Sequence, residues 1–138
     1  MVSGAYLENK IKTASPLELV IIAYEGTINF LKEAKKSMDS KEYKKSGQLI
    51  VRARKVIQEL RGSLDMDIEE ISGNLFALYR AMDTMLLRAS STKDAQLIDR
   101  VVKMLSSLKE SWVGISGRPS ASGKDSTATD YSYLNIYK

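Results

Sequence analysis

Neither cysteine nor histidine occurs anywhere in this chain of 138 residues. Without cysteine no disulfide can staple the fold, and no thiol can act as nucleophile or soft metal ligand. A reducing compartment suits such a chain. Without histidine the side chain that titrates nearest neutral pH is missing, and so is the commonest ligand of zinc and copper. Proline is nearly absent, Pro16 and Pro119 being the only two. Roughly a hundred residues between them meet nothing stronger than single glycines to break a helix. Long apolar runs are missing as well: the longest, Leu19 to Tyr24, falls far short of a membrane span. The opening MVSGAYLENK carries no basic run ahead of an apolar stretch, so it is not read as a secretory signal.

These absences exclude most chemistry. No glycine-rich phosphate loop is present, thiol catalysis and histidine-based triads are excluded, and carboxylate-bridged metal sites of helical bundles use a Glu-x-x-His motif that this chain cannot supply, while most of its acids sit at capping positions or off the core seams, which disfavours a purely carboxylate site. The expectation is a protein that is not an enzyme, with no cofactor and no metal. At 43% apolar and 28% charged, the composition is that of an ordinary soluble globular domain, and the length suits one domain with a core of its own.

What is present is helical periodicity. Ser15-Pro16-Leu17-Glu18 combines a cap, a proline suited to the first helical position and a capping box. Leu17, Ile21, Tyr24, Ile28, Leu31 and Met38 follow on one face. Leu19, Ile22, Ala23 and Phe30 add a second face, which predicts a largely buried first helix. The second helix is expected from Asp39-Ser40-Lys41-Glu42, again with capping residues. Tyr43, Ile50, Ile57 and Leu64 repeat every seven residues, accompanied by Ala53 and Leu60. The third begins near Asp67, with acids suited to a helix N-terminus; Ile68, Ile71, Leu75, Leu78, Met82, Met85 and Ala89 form its heptad seam. The fourth follows Ser91-Thr92-Lys93-Asp94, with Ile98, Val101, Leu105, Leu108, Trp112 and Ile115 inward, Trp112 as a core plug. Short connections predict antiparallel neighbours. The fold class is therefore all-α: an antiparallel up-down four-helix bundle over residues 15–117, with an N-terminal cap segment, 1–14, and a flexible tail, 118–138.

The net charge of +4 is concentrated in the second helix, where Lys41, Lys44, Lys45, Arg52, Arg54, Lys55 and Arg61 face only Glu42 and Glu59. Aromatic residues are not interleaved among these bases as stacking on nucleic acid requires, so a solvated helix face is the simpler reading. The tail differs again. Residues 116–130 are small and polar, and the tip YSYLNIYK is aromatic and apolar, suited to docking on the bundle, pairing with a partner or fraying.

The N-terminal third carries a specific pattern: Tyr6, then Asn9-Lys10-Ile11, then Thr13-Ala14-Ser15-Pro16-Leu17-Glu18-Leu19, then Ala23-Tyr24-Glu25-Gly26. Further on stand Ala53-Arg54-Lys55-Val56-Ile57-Gln58-Glu59-Leu60, Leu64-Asp65, Asn74-Leu75, Leu78-Tyr79, and Asp94, Leu97, Val101, Leu105, Leu108 and Trp112. In order and spacing, residues 5 to 113 resemble the FliS-type family of flagellin export chaperones. Three steps depart from the family pattern. Asp67-Ile68-Glu69-Glu70-Ile71 stands where a Gly-Gly loop is usual, Ile22-Ala23-Tyr24 replaces M-L-Y, and Ala89-Ser90 replaces Ala-Asn.

The resemblance implies a cytoplasmic export chaperone. Such proteins bind the disordered C-terminal segment of flagellin, prevent premature polymerisation and aid delivery to the flagellar export apparatus. The client forms short helices in apolar grooves, which the N-terminal segment can cover when no client is bound. Leu49, Val56, Leu60, Phe76, Tyr79 and Leu86 lie on or beside the predicted seams. They are expected to line a groove for an amphipathic helix, the competing reading being that they are flanking core. Tyr6 and Ile11 are candidates for the cover or for direct client contact. Partners are therefore the flagellin C-terminal segment, the export apparatus or a co-chaperone, and a second copy in a weak homodimer; no nucleic acid and no membrane insertion are expected. The alternatives on the same scaffold are an adaptor for another helical protein and a basic nucleic-acid-binding bundle.

Overall fold

The computed structural model describes Ala5, Asn9, Lys12, residues 14–64 and residues 69–116, the side chains of 69–71, 115 and 116 excepted. Four long helices make up the body: α1 (Pro16–Asp39), α2 (Tyr43–Gly62), α3 (Glu69–Thr92) and α4 (Ala95–Ser116). Each packs on the next, and α4 closes the ring against α1, which is the expected up-down bundle. Most of the expected cap segment and all of the tail after residue 117 lie outside the described residues, as do the expected start of α3 at Asp67 and the seam residue Ile68.

The helix ends follow from local chemistry. At the start of α1 the Glu18 backbone N–H donates to Ser15 Oγ at 3.2 Å, and the Ser15 N–H donates to Glu18 Oε1 at 3.1 Å. These two bonds are the capping box. At its end the Glu42 N–H reaches back to the Ser37 carbonyl and the Lys41 N–H to Met38, a Schellman pair. Lys41 takes the left-handed position, φ 61°, where glycine is usual. This arrangement overturns the capping expected for α2. Asp39 still belongs to α1, and the N-cap, Glu42, makes no side-chain cap bond. The α3–α4 junction repeats the device: Lys93 has φ 57°, and the Asp94 N–H donates to the Ala89 carbonyl at 3.0 Å. Asp94 Oδ1 then caps α4 through the Gln96 N–H.

The core contains most of the expected seams, with corrections. Tyr43 is 39% exposed. It sits in the first turn of α2, where the Lys93 ammonium lies 4.9 Å from its ring centre. Leu19 is also 39% exposed, so α1 is buried on one face rather than nearly all round. On α3 the buried row is Leu75, Tyr79, Met82, Leu86 and Ala89. Leu78 is 36% exposed and Met85 is half-buried. Apolar residues stand at both 78/85 and 79/86, so either pair could complete the heptad. The rotation observed lets the Tyr79 hydroxyl find a buried partner and brings Asp83 to Arg54.

Side-chain size varies along the bundle. Toward the pole of the two short loops, Ala34, Ser37, Ser46 and Ala89 are buried. There a Cβ at Gly47 would stand only 3.7 Å from Ser90 Oγ. Toward the opposite pole the space is filled by Tyr24, Tyr79, Trp112, Leu60 and Leu64. The buried aromatic side chains thus lie away from the short loops, and the small buried ones nearer to them.

A left-handed lysine carries a steric cost that glycine avoids, partly offset by glycine's greater chain entropy. Lys41→Gly is therefore expected to raise the unfolding free energy by about 0.5–1 kcal/mol in a urea titration. A loss of stability would show that the lysine side chain holds a contact worth more than the strain.

Candidate functional site

The buried row of α3 is fixed by a polar cluster. Trp112 Nε1 donates to the Tyr24 hydroxyl at 3.1 Å. The Tyr24 and Tyr79 hydroxyls share a hydrogen bond at 2.5 Å. The two tyrosine rings meet edge to face, 6.4 Å between centres at 82°. Three helices are thereby tied through one buried oxygen.

With Tyr79 inward, the opposite face of α3 is left outside the core. It carries a shallow trough of about 480 Å³ lined by Phe76, Ala77, Arg80, Ala81, Thr84 and Met85. Ala77 and Ala81, one turn apart, form the floor between two large apolar rims. The Arg61 guanidinium of α2 lies 5.7 Å from the centre of the Phe76 ring, a cation–π contact that holds one rim in place.

Ion pairs fix the flanks. Arg54 Nε meets Asp83 Oδ1 at 2.7 Å between α2 and α3, so Val56, two residues on, lies on the flank of α2 turned towards α1. Lys35–Asp99 at 2.9 Å and Lys109–Glu25 at 3.3 Å join α1 to α4. The opposite flank of α1, with Leu19, Ala23 and Phe30, therefore turns towards α2. Leu19 and half-buried Ala23, Phe30 and Val56 make a second apolar strip there. The hydrogen bond between Lys35 and Asp99 holds the Asp99 carboxyl below the ordinary aspartate range and pushes the Lys35 ammonium above the ordinary lysine range, desolvation opposing both.

The expected groove residues do not come together. Tyr79 and Leu86 are fully buried, and Leu49 and Leu60 are buried as well. In the chain without a client these four are part of the core rather than exposed groove walls. Only Val56 and Phe76 stay partly accessible, on opposite flanks of α2. Tyr6 and Ile11 lie outside the described residues. Sequence reading missed Ala77, Arg80, Ala81 and Thr84. The available signal was the Ala77/Ala81 pair at helical spacing. Of the bases on α2, Arg54 and Arg61 are engaged with α3, while Lys44, Lys45, Arg52 and Lys55 are exposed. Among the described residues no cluster of three metal-ligating side chains occurs, and no helix is long and apolar enough to cross a membrane.

Comparison with known proteins gives a consistent result. The model of the family described as flagellar protein FliS matches residues 2–119. The flagellar secretion chaperone FliS of Salmonella typhimurium is 32% identical over 122 residues, 87% of this chain and 89% of that one. The flagellar secretion chaperone FliSB of Pseudomonas aeruginosa is 32% identical over 111 residues, covering 80% and 88%. The FliS of Bacillus subtilis is 27% identical over 108 residues, covering 78% and 80%. A crystal structure of a bacterial flagellar chaperone shares the fold, with a TM-score of 0.69 at 23% identity over 80% of this chain and 90% of that chain.

Of the hydrogen bonds described for this cluster, Tyr24→Phe removes two and Tyr79→Phe one. Chemical denaturation should show a loss of about 2–3 kcal/mol for the first and about 1 kcal/mol for the second; the reverse order would place the anchor on Tyr79. The Lys35–Asp99 pair sets a pH window. A carboxyl lowered in the folded state contributes stability above about pH 4, lost as pH falls through the folded value. An ammonium raised in the folded state contributes below about pH 10, lost as pH rises through the folded value. The difference in thermal midpoint between the unaltered protein and Asp99→Asn should thus stay flat from about pH 5 to about pH 9 and shrink below about pH 4. A difference that varied near neutrality would contradict the pairing.

Proposed function

The chain belongs to the flagellar protein FliS family, flagellar secretion chaperones rather than enzymes, and we propose that its client is the C-terminal segment of flagellin, bound in the cytoplasm, kept from polymerising and passed to the export apparatus. The observation that carries this reading is the α3 trough. Two alanines floor it, Phe76 and Met85 rim it, and Arg80 stands at its edge. That composition suits an amphipathic helix laid along α3, with apolar anchors at helical spacing and acidic residues turned to the guanidinium. The strip of Leu19, Ala23, Phe30 and Val56 offers a second anchorage for a client long enough to wrap the bundle. Ordering a flexible segment offsets part of the contact energy, so a large apolar footprint is needed. The exposed bases of α2 raise the encounter rate with an acidic client more than the affinity.

The test is calorimetric titration of the full chain with a C-terminal flagellin peptide from the same organism. One-to-one binding with a negative heat-capacity change and a gain of helix by circular dichroism is expected. Ala77 is exposed, so Ala77→Arg leaves the core intact while filling the trough. It should weaken binding at least about tenfold, equivalent to about 1.4 kcal/mol. Binding that survives the arginine would move the client to another face. A folded protein that binds no peptide would turn attention to a different helical partner or, through Lys44, Lys45, Arg52 and Lys55, to nucleic acid.

A further inference from the structure

The seam between α3 and α4 is walled differently from its neighbours. Asp83 faces α2, which leaves Leu78 and Met85 on the flank of α3 towards α4. Asp99 and Lys109 face α1, which leaves Leu97, Met104 and Leu108 on the flank of α4 towards α3. Leu78 is 36% exposed, and the other four are half-buried. The α1/α4 and α2/α3 seams are crossed by ion pairs. Among the described residues the α3/α4 seam has none, and these two helices pack least closely of the four neighbouring pairs.

A chain segment of matching chemistry leaves from one end of this seam. α4 ends at Ser116. The family match stops at residue 119, whereas the chain continues to Lys138. Residues 117–130 are a polar spacer, and residues 131–138 present Tyr131, Tyr133, Leu134, Ile136 and Tyr137. Fully extended, the spacer reaches about 45–50 Å. The run from Ser116 back along α4 to Leu97 is about 30 Å. Around the ring α4 packs chiefly against α1 and α3, and its seam with α1 is bridged by charge. The α1/α2 strip lies on the far side of the bundle.

We infer that residues 131–138 of this chain dock back on the apolar α3/α4 flank formed by Leu78, Met85, Leu97, Met104 and Leu108. Burying the tip removes aromatic and aliphatic surface from water on both partners, which is the driving force for the contact. Because tip and flank belong to one molecule, the contact forms at a high effective concentration that dilution does not change. The inference does not rest on flagellin as client, and its test contains no client.

The chain has no native cysteine, so Ser132→Cys gives a unique site for a nitroxide spin label in the full-length protein. With the methionine methyls labelled in carbon-13, paramagnetic broadening should fall on Met85 and Met104, several-fold more than on Met38 at the far end of α1. The pattern should persist on dilution and vanish when Leu134→Asp and Ile136→Asp are added. Equal broadening of the three methyls would overturn the inference. So would broadening lost on dilution, which would place the tip on a second copy, or broadening that survives the two aspartates, which would remove its apolar basis.

Discussion

The hydroxyl of Tyr24 is the point on which the arrangement of this bundle turns. It lies out of reach of solvent, accepts the indole N–H of Trp112 and is hydrogen-bonded to the Tyr79 hydroxyl. Polar groups so placed are costly unless each finds its partner. Apolar packing alone would allow α3 to present either Leu78 and Met85 or Tyr79 and Leu86 to the core. The hydroxyl pair discriminates between the two rotations, because only one of them satisfies Tyr79. What lies on the outside of α3 is then a consequence: Ala77 and Ala81 become the floor of a trough, and Asp83 swings to Arg54.

The charged contacts act around this centre as registers. Arg54–Asp83 sets α2 against α3, and Lys35–Asp99 with Lys109–Glu25 sets α1 against α4 at two heights. The four groups of the α1–α4 pairs, Lys35, Asp99, Lys109 and Glu25, are substantially exposed, so they align helices more than they hold them. The Asp99–Lys35 pair ionises far from neutrality on both sides, and no histidine exists to titrate between.

Much of the fold could be read from the residues, because capping and periodicity are local properties. Ser15-Pro16-x-Glu18 marks one helix start without ambiguity, and Ile50, Ile57 and Leu64 carry the α2 seam into the core. The site was less legible, for a reason visible at Leu78-Tyr79 and Met85-Leu86. Adjacent apolar residues on a helix differ by about 100° in direction, and a heptad pattern tolerates either. The choice is made by Tyr24 and Trp112, distant in sequence. For the same reason the burial of Leu49, Leu60, Tyr79 and Leu86 could not be read from the pattern. The alanine floor was hidden as well, since small residues register weakly in a search for large apolar ones. The capping expected at Asp39 and Ser40 failed for another reason: the chain spends those residues in ending α1.

The gradient of side-chain size along the core has a mechanical meaning. At the loop pole, alanine, serine and glycine let the backbones approach closely, and each short link is locked by a Schellman turn. The four helices are therefore joined by short links among small side chains at one pole and by a hydrogen-bonded aromatic cluster toward the other. The start of α1 at Pro16 and the end of α4 at Ser116 both lie at the pole opposite the short loops, together with the α2–α3 connection. Tension applied through either end of the bundle is thus delivered at that pole, where the bonds joining Tyr24, Tyr79 and Trp112 stand nearest to it, and is borne by the short links only after it has passed along the helices.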